Sequence, residues 1–148
     1  MAKHIRNQLR ESVATTLTGL STTGSNVSQS RLFNLEESGL PALVIYTKSE
    51  ASELLVMGSA RELQRDLTLA VEIYVKGILN VDDTIDNITK EVEEAMATDV
   101  THGGLARDTF LESTEVEFNG EGDVPLAVCT MNYILKYHTA ENDVDAAV

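Results

Sequence analysis

The sequence predicts an α+β domain in which a mainly antiparallel sheet carries two helices on one face. Two segments repeat apolar residues at helical spacing, whereas several others alternate apolar and polar residues as strands do. The elements follow in the order α-β-β-β-α-β-β, without a βαβ rhythm or a glycine-rich nucleotide fingerprint. We expect residues 1–139 to form this single domain and residues 140–148 to form a flexible acidic tail.

The first helix is predicted near the N-terminus. Its apolar residues recur mostly at steps of four, which places them on one helix face. This stripe consists of Ile5, Leu9, Val13, Leu17 and Leu20. Gly19 is a stop signal, and the uncharged small residues 21–30 predict a loop. A short strand over residues 31–35 and a turn over residues 36–39 follow.

A further strand is predicted over residues 42–47, which form an apolar run directly after Pro41. Residues 48–60 connect it to the next strand and are long for a hairpin loop. The connection contains four consecutive apolar residues, Leu54, Leu55, Val56 and Met57. Either it extends the flanking strands into a longer hairpin, or it presents an apolar tip to a partner, because exposed apolar patches mark interfaces. We treat these four residues as a candidate assembly loop.

Residues 61–77 carry the strongest strand pattern. Apolar residues at odd positions are Leu63, Leu67, Leu69, Val71, Ile73 and Val75. Even positions are mostly polar and mainly acidic, which predicts one core face and one polar face. The strand exceeds the usual length of about five or six residues. We therefore expect it to project from the domain unless another strand pairs with it.

The second helix is predicted after Asn80, which is a candidate N-cap. Asp82 and Asp83 fall in its first turn, where the helix dipole favours carboxylates. Its apolar stripe consists of Val81, Ile85, Ile88, Val92, Ala95 and Met96. This spacing predicts that one face of the helix packs on the sheet.

Two strands joined by a turn are predicted after the second helix. In residues 109–118, Phe110, Val116 and Phe118 are expected on one face, and Glu115 and Glu117 on the other. Residues 119–123, with the sequence NGEGD, predict the turn, and residues 124–138 the last strand. The apolar face of that strand consists of Ala127, Cys129, Met131, Tyr133, Leu135 and Tyr137.

The charge balance disfavours nucleic-acid recognition. The 148 residues include 24 Asp and Glu against 11 Lys and Arg, which gives a formal net charge of −13. Such a surface repels phosphate backbones. No apolar run reaches the length of a membrane span, and the N-terminus lacks the apolar core of a secretory signal. The single cysteine, Cys129, excludes an internal disulfide and a four-cysteine zinc site.

No set of residues has the spacing of a catalytic or metal site. The three histidines, His4, His102 and His138, lie far apart in the sequence. Asp82 and Asp86 lie one helical turn apart and could chelate a hard cation, but helix capping explains Asp82 without a metal. Cys129 falls on an apolar strand face, where inert packing is expected. We therefore expect no enzymatic activity, no metal and no cofactor.

Four segments together resemble small tail-completion proteins of long-tailed bacteriophages, most nearly the lambda-type tail terminator group. They are HIRNQLRESVATTLTGL, LPALVIYTKSE, RELQRDLTLAVEIYVKG and LESTEVEFNGEGDVPLAVCTMNYILKYHT. The resemblance covers roughly residues 3–139 and consists of a pattern of elements and turns, without a diagnostic catalytic motif.

The resemblance implies a structural minor tail protein of the virion. Members form a ring, usually of six copies, that caps the growing tail tube, stops its polymerisation and offers the surface to which the head attaches. It also implies contacts with the tail tube protein and with a head-completion or neck protein. Assembly in the host cytoplasm, passage of DNA without specific binding and no membrane contact are implied as well. Neighbouring head–tail joining families share the α+β build.

An acidic lining of such a ring would repel DNA phosphates as DNA passes. The candidates for this lumen face are Glu62, Asp66, Glu72, Glu115 and Glu117. A plain solvated strand face is the alternative interpretation. Two other functional classes also remain open, a soluble binding module that acts as a monomer and a hydrolase that uses carboxylates.

Overall fold

The computed structural model describes residues 3–29, 41–58, 61–77, 80–119 and 126–148. Helix α1 spans Ile5–Leu17 and helix α2 spans Val81–Thr98. The described strands β1 to β6 span Val27–Ser28, Ala42–Val56, Glu62–Lys76, Asp108–Asn119, Leu126–Ala140 and Asp143–Ala147. The predicted strand at residues 31–35, the turn at 36–39 and most of the turn at 119–123 lie outside the described residues.

All described strands belong to one sheet with the order β1-β2-β3-β5-β4, and β6 pairs with the end of β5. The neighbouring strands are antiparallel, except that β1 runs parallel to β2. The long strand β3 pairs with β2 from Glu62 to Tyr74 and with β5 over its whole length. The strand was expected to project only if no other strand paired with it. It finds both of its partners within the chain and lies at the centre of the sheet.

Both helices pack on the same face of the sheet, so the predicted α+β class is confirmed. The predicted helix stripes are buried, and they comprise Ile5, Leu9, Val13 and Leu17 in α1 and Ile85, Ile88, Val92 and Met96 in α2. They meet the odd-numbered apolar residues of β3 and β5 in one hydrophobic core. Burying each aliphatic side chain contributes roughly 1.5–3 kcal/mol, so these stripes hold the helices on the sheet.

The N-terminus of α2 begins after Asn80 as predicted, but Asn80 does not cap it through its side chain. Asn80 occupies the N-cap position, but its φ is 59° and its side chain makes no capping hydrogen bond. Its carbonyl oxygen instead accepts hydrogen bonds from the backbone N–H and the hydroxyl of Thr84, both at 3.0 Å. An N-cap residue that caps through its side chain adopts an extended backbone, whereas Asn80 is left-handed, a conformation that asparagine tolerates.

Two segments form more strand than expected, and a third follows the longer-hairpin interpretation. Residues 48–56 continue β2, across a register shift between Thr47 and Ser49. Val27–Ser28, within the predicted loop, pairs with β2 as β1. The expected flexible tail contains β6, and the backbone N–H of Val148 donates to the carbonyl of His138 at 3.0 Å. The hydrogen bonds of these pairings join backbone groups, so the side-chain pattern of the segments did not indicate them.

Strand β4 corrects the predicted alternation of residues 109–118. Its register against β5 shifts between Leu111 and Ser113. Before the shift Phe110 pairs with Ile134, and after it Val116 pairs with Cys129 on the helix side. Paired residues share a sheet face, and one extra residue inverts the alternation. Phe110 therefore lies on the opposite face from Val116 and Phe118, and the prediction that the three share a face was wrong.

Candidate functional site

The β2–β3 hairpin ends in an exposed apolar tip. Its ladder extends to the pair Val56 and Glu62, and β1 covers only the opposite end of β2. Leu54, Leu55 and Met57 are 45%, 42% and 85% exposed. The two interpretations of residues 48–60 thus combine, because the segment lengthens β2 along β3 and carries uncovered apolar side chains at its end. We call residues 54–57 the hairpin tip; their contact with a partner stays a prediction.

The base of this hairpin is fixed by a buried polar network around Glu50. Its side chain is only 9% exposed, and it accepts from Arg6 Nη1 at 2.8 Å and from Arg65 Nη1 at 3.2 Å. The hydroxyl of Tyr137 also donates to Glu50, and Arg65 Nε donates to Thr139 Oγ1 at 3.1 Å. Burial is the largest cause that raises the pKa of Tyr137, so this hydroxyl stays protonated. The network joins α1, β2, β3 and β5.

Sequence reasoning missed this network, although one signal was present. Arg65 occupies an odd position within the apolar series of β3, where a charged residue must be paired if the face is buried. Glu50 gave no such signal because residues 48–60 were interpreted as a connection. The pairing of Arg6 with Glu50 spans 44 positions, a separation that no local pattern reveals.

The structure brings the candidate acidic lumen residues to one face of the sheet. Glu72 pairs with Thr130, which pairs in turn with Glu115, so the two carboxylates flank one residue of β5. The remaining candidates, Glu62, Asp66 and Glu117, follow the same alternation. This face is the one without helices, because the pair Ile73 and Cys129 on the other side is buried in the core.

Two of these candidates have polar partners on the helix-free face. Asp66 Oδ1 lies 3.3 Å from Lys136 Nζ, so its charge is largely offset. Glu72 Oε2 accepts from the hydroxyl of Tyr74 at 3.1 Å. Burial, followed by the charge of Glu72, raises the pKa of Tyr74 to about 12. Of these two partners, only Lys136 carries a positive charge.

A groove opens between α2 and β4 at the edge of the sheet. Its lining includes Met96, Ala97, Val100, Leu111 and Tyr133, with Glu93 as a charged member. It holds about 160 Å³, and we call it the α2–β4 groove. Tyr133 is only 3% exposed, yet its hydroxyl has no hydrogen-bond partner among the described residues. Burial and then the nearby charge of Glu93 raise the pKa of this hydroxyl far above its usual value.

The loop between α2 and β4 is held by polar contacts. His102 is buried and has a left-handed backbone with φ of 51°, and its Nδ1 lies 3.4 Å from the hydroxyl of Ser12 on α1. Burial lowers the pKa of His102, and the charge of Asp99 opposes this shift. Asp99 accepts from the hydroxyl of Thr101 at 2.6 Å and from the N–H of Gly103 at 2.9 Å. These contacts fix the loop between the end of α2 and the start of β4.

The remaining candidates from the sequence, the metal ligands and the cysteine, do not come together in one site. Asp82 and Asp86 lie on α2, and within the described ranges no group of three or more His, Cys, Asp or Glu is arranged to hold a metal. Cys129 is buried, and burial raises the pKa of its thiol to about 11. None of the helices in the described part of the chain is long and apolar enough to cross a membrane.

Comparisons with solved structures find chains that resemble this one, among them a virion component. A chain from the virion of a native gene transfer agent particle aligns with a TM-score of 0.42 and 12% sequence identity. The alignment covers 90% of this chain and 92% of that chain. No family model and no curated protein matches the sequence.

Proposed function

We propose that this protein is a structural subunit of a phage virion, which assembles as a ring of six copies at the end of the tail tube. There it ends tube polymerisation and provides the surface to which the head attaches. The observation that carries the proposal is the presence of two unlike apolar surfaces, the hairpin tip on the β2–β3 side and the α2–β4 groove on the other side of the sheet. A closed ring requires such a heterologous pair.

The charge distribution supports the same proposal. The chain carries a net charge of −13, and the acidic candidates share the helix-free face. If this face lines the ring, DNA passes a surface that repels its phosphates instead of releasing counterions on binding. The sequence resemblance to tail-completion proteins, over roughly residues 3–139, is the independent support for the position in the virion.

The hydrolase alternative receives less support from the same residues. Carboxylate catalysis of glycoside hydrolysis requires two carboxylates that face each other across a substrate cleft. The α2–β4 groove is lined by one carboxylate among its described residues, that of Glu93. A second pocket is lined by Glu91 and Glu94, but both lie on α2, and Glu91 Oε1 accepts from the N–H of Thr22 at 3.1 Å. The thiol of Cys129 is buried and has a raised pKa, which does not suit a nucleophile.

The oligomeric state tests the proposal. Sedimentation velocity over a wide concentration range, with negative-stain images of the same samples, is expected to show six-fold rings with an open centre. Purified tail tube protein then provides the second test, because a terminator limits the length of tubes as they polymerise. A neighbouring neck protein would form rings without limiting tube length. A strict monomer that also fails to bind tubes would contradict the proposal and favour the monomeric binding module.

A further inference from the structure

We infer that the hairpin tip of one copy occupies the α2–β4 groove of the next copy in the ring. This inference rests on the proposed function and specifies the contact by which the ring closes. The groove is incomplete in the single chain, because the hydroxyl of Tyr133 is buried at its wall without a partner in the described chain. Buried hydroxyl groups are normally hydrogen-bonded. A backbone carbonyl or N–H of an inserted segment would supply the missing partner.

The size of the groove fits one apolar side chain. Its volume is about 160 Å³. A cavity of roughly 150 Å³ lined by apolar side chains accommodates a molecule of the size of benzene. Met57, the most exposed apolar residue of the tip, has an unbranched side chain that adapts to irregular gaps. Leu54 and Leu55 would cover the rim beside Val100, which is itself exposed.

The lack of charge at the hairpin tip makes it a suitable occupant of the groove. The chain is strongly acidic, and Glu93 at the groove repels other carboxylates. Residues 54–58, with the sequence LLVMG, carry no charge themselves, and Glu53 and Glu62 flank them. The uncharged tip brings apolar side chains to the apolar part of the groove wall.

The tip must come from another copy. Strands β3 and β5 separate β2 from β4, and three strand spacings of about 4.8 Å lie between the two edges. The hairpin ladder continues to Val56 and Glu62, so it holds the tip along the direction of the strands. The tip and the groove are different surfaces that lie toward opposite edges of the sheet. Their contact is therefore heterologous and repeats from copy to copy.

Disulfide cross-linking between two single-cysteine additions tests the contact. Met57→Cys protein is mixed with Ala97→Cys protein, in which the new thiol lies at the groove, and the mixture is oxidised. We expect a disulfide-linked pair that contains one copy of each variant. Met57→Cys mixed with Glu94→Cys is the matched control, because Glu94 is exposed on the same helix but lies outside the groove. The native Cys129 is buried and adds little background.

Negative-stain images of the cross-linking mixtures separate this inference from the proposed function. Rings that form without the Met57–Ala97 cross-link overturn the inference and leave the ring proposal intact. Equal cross-linking to Glu94→Cys, or preferential cross-linking to Val116→Cys on β4, also overturns it. The absence of rings and cross-links at every concentration, together with failure to bind tail tubes, contradicts both proposals.

Tyr133→Phe gives a second test with a different readout. The removed hydroxyl has no partner within the described chain, so we expect the thermal midpoint of the unassembled subunit to be unchanged or slightly raised. Ring assembly is expected to need about a five-fold higher concentration, the effect of losing one neutral hydrogen bond. Assembly at an unchanged concentration would overturn the inference that the hydroxyl receives its partner from the tip.

Discussion

Glu50 on β2 accepts a hydrogen bond at 2.8 Å from Arg6 on α1, although 44 positions separate the two residues in the sequence. The same carboxylate also contacts Arg65 and Tyr137. The contact fixes the hairpin at the point where it leaves the helix-covered core. Beyond Glu50 the hairpin carries exposed apolar residues, so a fixed base supports an uncovered tip. A segment that docks into a partner loses less conformational entropy when its base is already ordered.

We expect Glu50→Gln to destabilise the subunit by about 3 kcal/mol, the lower end of the roughly 3–5 kcal/mol lost when a buried pair is broken. The lower value applies because the Arg6 side chain is 38% exposed and can be partly solvated, whereas Arg65 remains buried without its counter-charge. Urea unfolding, followed by circular dichroism, measures the loss. Glu11→Gln is the matched control, because the Lys3–Glu11 pair is exposed and contributes only about 0–1 kcal/mol. Equal losses in the two variants would contradict the importance of the network.

The double variant Leu54→Ser and Leu55→Ser should fold normally and assemble poorly. Both side chains are about half exposed, so their removal costs the isolated subunit little burial. The change is expected to shift the population from rings to single subunits in sedimentation velocity, while the unfolding midpoint stays within the range of ordinary surface variants. Unfolding of this variant would show that the tip belongs to the core of its own subunit.

A charged residue in the centre of β3 should instead unfold the subunit. Leu69 and Ile73 are fully buried beneath the helices. Leu69→Asp or Ile73→Asp places an unpaired carboxylate in the core, and we expect a loss of more than about 4 kcal/mol. Circular dichroism at neutral pH should show an unfolded or largely unfolded chain. Thr68→Asp, on the helix-free face of the same strand, is the control that should remain folded.

The subunit should lose stability as the pH falls below about 6.5, the usual pKa of histidine. Burial lowers the pKa of His102, so the unfolded chain binds protons more readily than the folded chain between the two pKa values. Stability is complete above this window and decreases as the pH falls through it. His4 and His138 are shifted in the same direction.

We expect His102→Asn to flatten this dependence, since asparagine tolerates the left-handed backbone and does not titrate. Urea midpoints at pH 7, 6 and 5 provide the comparison. His138→Asn, at a less buried position, should change the slope less. An unchanged slope in His102→Asn would exclude the buried histidine as the main source of acid sensitivity.

Local periodicity was sufficient for most of the elements. The helix stripes and the alternation of β3 and β5 predicted which faces are buried, because burial of apolar side chains is their dominant stabilising term. The same patterns placed the acidic residues Glu62, Asp66 and Glu72 on the polar side of β3. Alternation failed in β4, where a register shift within the strand inverted the faces of Phe110 and Val116.

The sequence by itself determined the fold class, the two helices, the core faces of the long strands and the strongly acidic balance. These properties depend on side chains that lie close together in the chain. Only the tertiary structure decided that β3 is central, that Glu50 meets Arg6 and Arg65, and that Tyr133 faces a groove without a partner in the described chain. These features arise from pairing across many intervening residues and from backbone hydrogen bonds, which leave no periodic trace in the side chains.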